Sequence, residues 1–168
     1  MAEALAKGLI RAKLSTADNI IVSDVDRNRC QLFEEETGAA TTQDNREVVS
    51  RSDIIILAIK PNVTGAVLEE LKNDITPEHL VVSIAAGIPL NFMESTLNVG
   101  CRVVRVMPNT PCLVGETAAG YALGKNATQN DGELVGHVAI SPITLSIDAT
   151  GFGLRKYMEK WSTIRQKH

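Results

Sequence analysis

Aromatic residues, cysteines and histidines are all scarce in this chain of 168 residues. Only 4% of the residues are aromatic, so a set of rings for stacking nucleic-acid bases is not expected, and a net charge of −3 gives no general attraction to nucleic acid or to a membrane surface. The cysteines Cys30, Cys101 and Cys112 form no CxxC pair and the histidines are scattered, which argues against a disulfide framework or a zinc site. No apolar run reaches the roughly 18 residues of a membrane span. We therefore expect a cytoplasmic protein without a metal site and without a nucleic-acid or membrane partner.

The segment at residues 1–15 is amphipathic and carries Lys and Arg, as a mitochondrial presequence does, although Glu3 argues against that interpretation. Periodicity favours another one. Ala2, Leu5, Leu9 and Ala12 recur at spacings of three, four and three, which predicts a helix packed on one face.

Strands alternate with helices over most of the remaining chain. Continuous apolar runs such as "DIIILAI" are typical of strands covered on both faces. We predict strands at 19–24, 39–42, 53–59, 79–87, 101–108 and 116–124, and helices at 26–38, 44–52, 62–72 and 89–97. This order predicts an α/β fold, a doubly wound parallel sheet of the Rossmann-like type.

Unusual residues follow three of these strands. They are Lys60-Pro61, Ala85-Ala86-Gly87 and the segment from Met107 to Pro111. In parallel sheets, ligands bind outside the carboxyl ends of the strands. A proline there makes a stiff corner, a glycine lets a ligand approach the backbone, and a lysine attracts an anion. The alternative is that Pro and Gly here are ordinary loop residues.

The front of a dinucleotide-binding sheet is not recognisable. Such a sheet opens with a strand and a G-x-G-x-x-G turn, whereas here a helix comes first. The sheet is therefore predicted to be incomplete at its N-terminus, with the central position between the strands at 19–24 and 53–59 empty, unless the natural chain is longer or the sheet is rearranged. "GFG" at 151–153 is a weak match that we place after the sheet.

Four segments together carry a family resemblance. "MAEALAKGLI", "SDIIILAIKP", "VVSIAAGI" and "RVMPNTP", in this order, resemble the N-terminal half of pyrroline-5-carboxylate reductase over roughly residues 1–134. The resemblance implies hydride transfer from NADPH or NADH to the C=N bond of Δ1-pyrroline-5-carboxylate, which gives L-proline. It implies no catalytic side chain in this chain, because orientation of the cofactor does most of the work. Members of the family form homo-oligomers.

The resemblance also implies the cofactor-binding residues. The Ala-x-Lys-Pro loop lies along the cofactor, an Asn after the third strand contacts the adenosine half, and two further loops lie near the nicotinamide. In this sequence these positions correspond to Ala58, Ile59, Lys60 and Pro61, to Asn45, and to Ala85, Ala86, Gly87, Met107, Asn109 and Thr110.

Asp24 leaves the cofactor choice open. A carboxylate at the end of the second strand of such a fold favours NAD, because it repels a 2′-phosphate. Arg27 and Arg29 follow at once and could receive that phosphate. A third interpretation is that Asp24 caps the helix that starts near Asp26.

The resemblance ends near residue 134, so we divide the chain into a dinucleotide-binding domain at 1–125 and a divergent tail at 126–168. The tail shows neither the family's dimerisation domain nor its substrate-covering segment, and we expect the chain alone to be weakly active or inactive. Two other hypotheses stay open: a non-catalytic dinucleotide-binding or interaction partner of a full-length reductase, and a related β-hydroxyacid-type dehydrogenase.

Overall fold

The computed structural model describes residues 2–108, 119–140 and 150–154, the last range by its backbone. In these ranges the chain forms six α-helices, seven strands and one 3-10 turn. The elements are, in chain order, α1 (Ala2–Arg11), the 3-10 turn (Ala17–Asn19), β1 (Ile20–Ser23), α2 (Arg27–Thr37), β2 (Ala40–Thr42), α3 (Asn45–Ser50), β3 (Ile54–Ala58), α4 (Pro61–Leu71), β4 (Leu80–Ser83), α5 (Leu90–Thr96), β5 (Arg102–Pro108), β6 (Ala119–Leu123), α6 (Gln129–Ile140) and β7 (Thr150–Leu154).

The alternation predicted from the sequence is confirmed, with two elements shorter than expected. The strand predicted at 79–87 ends at Ser83, because the Ser83 hydroxyl accepts a hydrogen bond from the Ala85 N–H and Gly87 has a φ of 74°. The first helix ends at Arg11, so Ala12 is exposed instead of packed. Lys13, with a φ of 57°, then turns the chain away.

All seven strands form one sheet in the order β2-β1-β7-β3-β4-β5-β6. The neighbours within β1 to β5 pair in parallel, whereas β6 pairs antiparallel with β5 and β7 pairs antiparallel with both β1 and β3. The position predicted to be empty is therefore filled. The expectation that 151–153 lies after the sheet is wrong, because Gly153 pairs with both Ile21 and Ile55.

Apolar clusters cover both faces of the sheet, as a doubly wound fold requires. In β3, Ile54 and Ile56 pack into the cluster with α1, α2 and α6, while Ile55 and Leu57 pack into the cluster with α4 and α5. The unbroken apolar run in the sequence thus reflects a strand whose alternate side chains are buried on opposite sides.

Helix α6 packs on the same core as the earlier elements. Leu134 and Val135 are buried in the cluster that contains α1 and β5. Asp131, 1% exposed, accepts a 2.6 Å hydrogen bond from Arg102 and also accepts from the Thr128 N–H. The predicted domain division between residues 125 and 126 stays a prediction, and the described parts of 126–168 contact the sheet.

Candidate dinucleotide site

The residues predicted from the sequence lie along the carboxyl ends of neighbouring parallel strands. Because β1, β3, β4 and β5 point the same way, their final residues share one edge of the sheet. At that edge lie Asp24 after β1, Asn45 at the start of α3, Ala58–Pro61 after β3, Ala85–Gly87 after β4 and Met107 near the end of β5. Asn109 and Thr110 lie outside the described residues.

A cavity of about 190 Å³ opens where β1 and β3 meet α3 and α4. Its walls are mostly apolar and its polar groups are few, which is typical of a small-molecule site. Such sites measure roughly 300–1,000 Å³ for a drug-sized ligand, so this volume suits one end of a dinucleotide. Val63, Val67 and Leu71 of α4 line this cavity, whereas Leu68 of the same helix is buried in the core.

Two of the cavity's polar groups hold each other in place. The buried Ser23 hydroxyl donates a hydrogen bond to Asn45 Oδ1 across 2.7 Å. Asn45 Nδ2 donates in turn to Glu70 Oε2 of α4 at 3.3 Å. The Asn45 amide is therefore held from two sides, by the end of β1 and by α4. Asp44 begins α3 by accepting from the Arg46 N–H, which sets Asn45 on the first turn.

The Asp24 carboxylate lines the same cavity and is buried, with 3% of its side chain exposed. Its Oδ1 accepts the Asp26 N–H at 2.9 Å, while Oδ2 has no hydrogen-bond partner among the described residues. The interpretation that Asp24 caps α2 is wrong. Asp26 is the capping residue, because its side chain accepts a hydrogen bond from the Asn28 N–H at the start of α2. Arg29 Nη1 lies 3.9 Å from Asp24 Oδ2.

Lys60 and Pro61 form the corner between β3 and α4. Lys60 adopts an extended conformation, with a φ of −66° and a ψ of 143°, and Pro61 starts the helix. Its missing N–H costs nothing at that position and its fixed φ suits the helix. Lys60 is exposed, and its carbonyl accepts from the Val63 N–H and the Thr64 hydroxyl. The corner is therefore rigid and presents a cation and a helix N-terminus at the edge.

The loop after β4 has small residues, so its backbone is accessible at the edge of the sheet. Ala85 is buried, whereas Ala86 and Gly87 are exposed. A Cβ built on Gly87 meets nothing within 4 Å, so the glycine is required by its φ and the space beside it is open. Met107, 60% exposed, lies two strands from Ala58 on the same edge.

Within the set predicted from the sequence, Asp24, Asn45 and Ile59 line the cavity together. Lys60, Pro61 and the loop at 85–87 lie at the edge but do not line it. Sequence reasoning missed Ser23 and Glu70, which hold Asn45. The signal for Ser23 was a hydroxyl residue at the end of an apolar strand, directly before Asp24.

The pKa of Glu47, on the helix that carries Asn45, is lowered by its hydrogen bonds. The Thr42 hydroxyl donates to Glu47 Oε2 at 2.6 Å and Arg51 pairs with Oε1 at 2.9 Å. The Thr42 hydrogen bond, followed by the one from Arg51, lowers the pKa of Glu47. Glu47 thereby ties α3, which carries Asn45, to β2.

The residues that the structure describes contain no cluster of three or more His, Cys, Asp or Glu side chains placed to hold a metal ion. None of their helices combines the length and apolar character that crossing a bilayer takes.

Comparison with known families gives a match over residues 1–87 to the family described as NADP oxidoreductase, coenzyme F420-dependent. Among curated relatives, a pyrroline-5-carboxylate reductase of Methanosarcina acetivorans is 48% identical over 131 residues, which are 78% of this chain and 48% of that protein. The chain thus spans about half the length of the curated relatives it matches.

Solved structures show the same likeness. The pyrroline-5-carboxylate reductase of Coxiella burnetii has a TM-score of 0.77 and 32% identity, over 87% of this chain and 54% of that one. The Plasmodium falciparum pyrroline carboxylate reductase, solved with NADP bound, has a TM-score of 0.70 and 29% identity, over 86% and 52% of the two chains.

Proposed function

We propose, since the chain belongs to the family described as NADP oxidoreductase, coenzyme F420-dependent, that its sheet is the NAD(P)H-binding half of a pyrroline-5-carboxylate reductase. The observation that carries the proposal is the cavity at the carboxyl ends of β1 and β3, where Asp24 and Asn45 meet apolar walls. The reaction is transfer of a hydride from NAD(P)H to the carbon of the C=N bond of Δ1-pyrroline-5-carboxylate, and a proton from solvent completes the amine nitrogen of L-proline.

The residues at the edge fit a dinucleotide in four places. The apolar walls from Val63 and Val67 suit an adenine ring, and Asp24 Oδ2, which accepts no hydrogen bond from the described residues, suits a ribose hydroxyl. Lys60, beside the N-terminus of α4, suits a phosphate. The open backbone at Gly87 leaves room for a flat ring farther along the edge.

The chain's own contribution to the reaction is orientation. When bound, the reduced nicotinamide supplies the hydride. The Lys60-Pro61 corner and the loop at 85–87 fix the direction in which the dinucleotide runs along the edge. The Ser23–Asn45–Glu70 contacts hold its adenosine end. Correct placement of two reactants lowers the reaction barrier by roughly 7–11 kcal/mol at best. We place this function in the cytoplasm, with a homo-oligomer as the assembled enzyme.

A fluorescence titration of the purified chain with NADH and NADPH tests the proposal, followed by imine-dependent oxidation of the dinucleotide. Asn45→Ala should weaken binding by about tenfold, the loss of one or two hydrogen bonds. The matched control is Asn98→Ala, because Asn98 donates to the Lys72 carbonyl at the opposite edge of the sheet.

Saturable binding that weakens only in Asn45→Ala supports the site, and oxidation that depends on the imine supports the reaction. Binding without turnover favours the non-catalytic partner instead. Absence of binding, in a chain shown to be folded by circular dichroism, contradicts the proposal.

A further inference from the structure

The cavity between β1 and β3 lies over β7. Ser23 of β1 and both Ile55 and Leu57 of β3 line it, and β7 is the strand between those two. Because neighbouring strands lie about 4.8 Å apart, the two walls are roughly 10 Å apart and the cavity extends across the backbone of β7. Helix α3, which supplies further lining residues, also packs next to β7. The tail of the chain therefore forms part of the cavity.

Both glycines of β7 lie on the face of the sheet that borders the cavity. Gly151 is in register with Ser23 and Leu57, and Gly153 is in register with Ile55. Residues in register on neighbouring strands share a face of the sheet, and alternate residues of one strand share it too. Ile55 and Leu57 lie on the face that α4 and α5 cover. The floor of the cavity is therefore bare backbone at two alternate positions, where any other residue would place a side chain.

A buried carboxylate at the side of this floor also points to a ligand. Asp24 lines the cavity with 3% of its side chain exposed, and its Oδ2 accepts no hydrogen bond from the described residues. A buried acceptor without a donor is unfavourable, and a bound molecule with an N–H or O–H group would supply that donor. The open floor and the acceptor together suit an occupant with a flat body and at least one donor.

We infer that Gly151 and Gly153 determine what enters the site, because their lack of side chains leaves room for a flat ring to lie on the backbone of β7. The inference rests on the proposed function, since it takes the ring to be one end of a bound dinucleotide. Glycine is the residue that lets a ligand approach the backbone closely. The Gly-Phe-Gly segment at 151–153, which lies outside the stretch that resembles the family, thereby becomes part of the site.

The test is a fluorescence titration of the full chain with NADH, in variants that add carbon atoms to the floor. Gly151→Ala should weaken binding several-fold and Gly151→Val at least about tenfold, because the larger side chain takes up more of the space. Both should keep or raise the unfolding temperature, since valine and alanine favour strands more than glycine does and their side chains fill part of a cavity. Gly153→Val should behave in the same way as Gly151→Val.

A compensating variant separates lost space from a distorted backbone. Leu57 lies beside Gly151 on the same face and lines the cavity. In Gly151→Val, the further change Leu57→Ala returns space on the neighbouring strand and should restore most of the affinity. The matched control is Ala122→Val, which adds a β-branched side chain at an exposed position of β6, the outer strand of the sheet, and should leave the affinity unchanged.

A graded loss of NADH affinity at position 151, with recovery in the double variant, supports the inference. Unchanged affinity in both valine variants, or a loss that Leu57→Ala does not recover, overturns it while the proposed function stands. A lower unfolding temperature in the valine variants also overturns it, because the floor then has no room for a side chain. If the wild-type chain binds no NADH, the proposed function fails and the inference fails with it.

Discussion

Ser23 Oγ donates a 2.7 Å hydrogen bond to Asn45 Oδ1, and this contact joins the end of β1 to the start of α3 across 22 residues of sequence. Both residues line the cavity between β1 and β3. The contact fixes the Asn45 amide, which we propose contacts the adenosine end of the dinucleotide. The site therefore depends on Asn45, which touches the ligand, and on Ser23, which holds Asn45 in place.

Ser23→Ala should weaken both folding and binding. The buried hydroxyl is lost and Asn45 Oδ1 loses its donor, which lowers the free energy of unfolding by about 1–3 kcal/mol. NADH affinity should fall several-fold, because Asn45 gains freedom. Urea unfolding and a fluorescence titration measure the two effects. Ser50→Ala, which removes an exposed hydroxyl bonded to the Glu47 carbonyl, is the control and should change neither. Equal stability and equal NADH affinity in the two variants would contradict a role of Ser23 in holding Asn45.

Gly87→Ala should destabilise the loop after β4 through its backbone alone. The φ of 74° costs an L-residue roughly 1–2 kcal/mol, while the added Cβ meets nothing within 4 Å. Gly87→Asn should cost less, because Asn adopts this conformation more readily than other residues. Urea unfolding of the two variants gives the order. A larger loss for Asn than for Ala would mean that space, not conformation, limits this position.

Proline at position 153 tests whether β7 is the central strand of the sheet. Gly153 pairs with Ile21 on one side and Ile55 on the other. Proline removes an N–H there and leaves an acceptor unpaired, so Gly153→Pro should lower the free energy of unfolding by about 2 kcal/mol or more. Val99→Pro is the comparison, because Val99 is 99% exposed in the turn before β5 and should tolerate proline. Equal loss of stability in both variants would contradict a specific role for β7.

Stability in acid should depend on Glu47. Its pKa is lowered in the folded chain, chiefly by the Thr42 hydroxyl and then by Arg51, from an ordinary value of 4.5. The contribution to stability is therefore full above pH 4.5 and is lost as the pH falls through the lower folded value. Glu47→Gln should flatten the dependence of the unfolding midpoint on pH below 4.5. Glu35→Gln removes an exposed carboxylate of α2 and is the control. An unchanged slope in Glu47→Gln would show that the Thr42 contact does not form.

The order of strands and helices was predictable because each buried strand has a β-branched apolar run bounded by turn residues. Pro61 marks the start of α4 and Gly38, with a φ of 71°, marks the end of α2. The carboxyl-edge placement of Asp24, Asn45 and Lys60 followed from topology, since parallel strands bring their ends to one side.

The central strand was not predictable. Thr150–Leu154 contains two glycines, which are poor strand formers, and it pairs with strands more than 90 residues earlier, roughly a domain's length away. Local propensity does not predict such a pairing. The only indication in the sequence was that the position between β1 and β3 had no strand assigned to it. The Ser23–Asn45 contact was hidden for a similar reason, because a hydrogen bond between a strand end and a later helix depends on tertiary packing.

The most direct test of the account is amide chemical-shift mapping of the full chain by NMR during a titration with NADH. We expect saturable shifts at the carboxyl edge, at the amides of Asp24, Asn45, Lys60 and Gly87, and none at His79 and Gly100 on the opposite edge. Shifts centred on His79 and Gly100, or no shifts at millimolar NADH, would contradict a dinucleotide site at the ends of β1, β3 and β4.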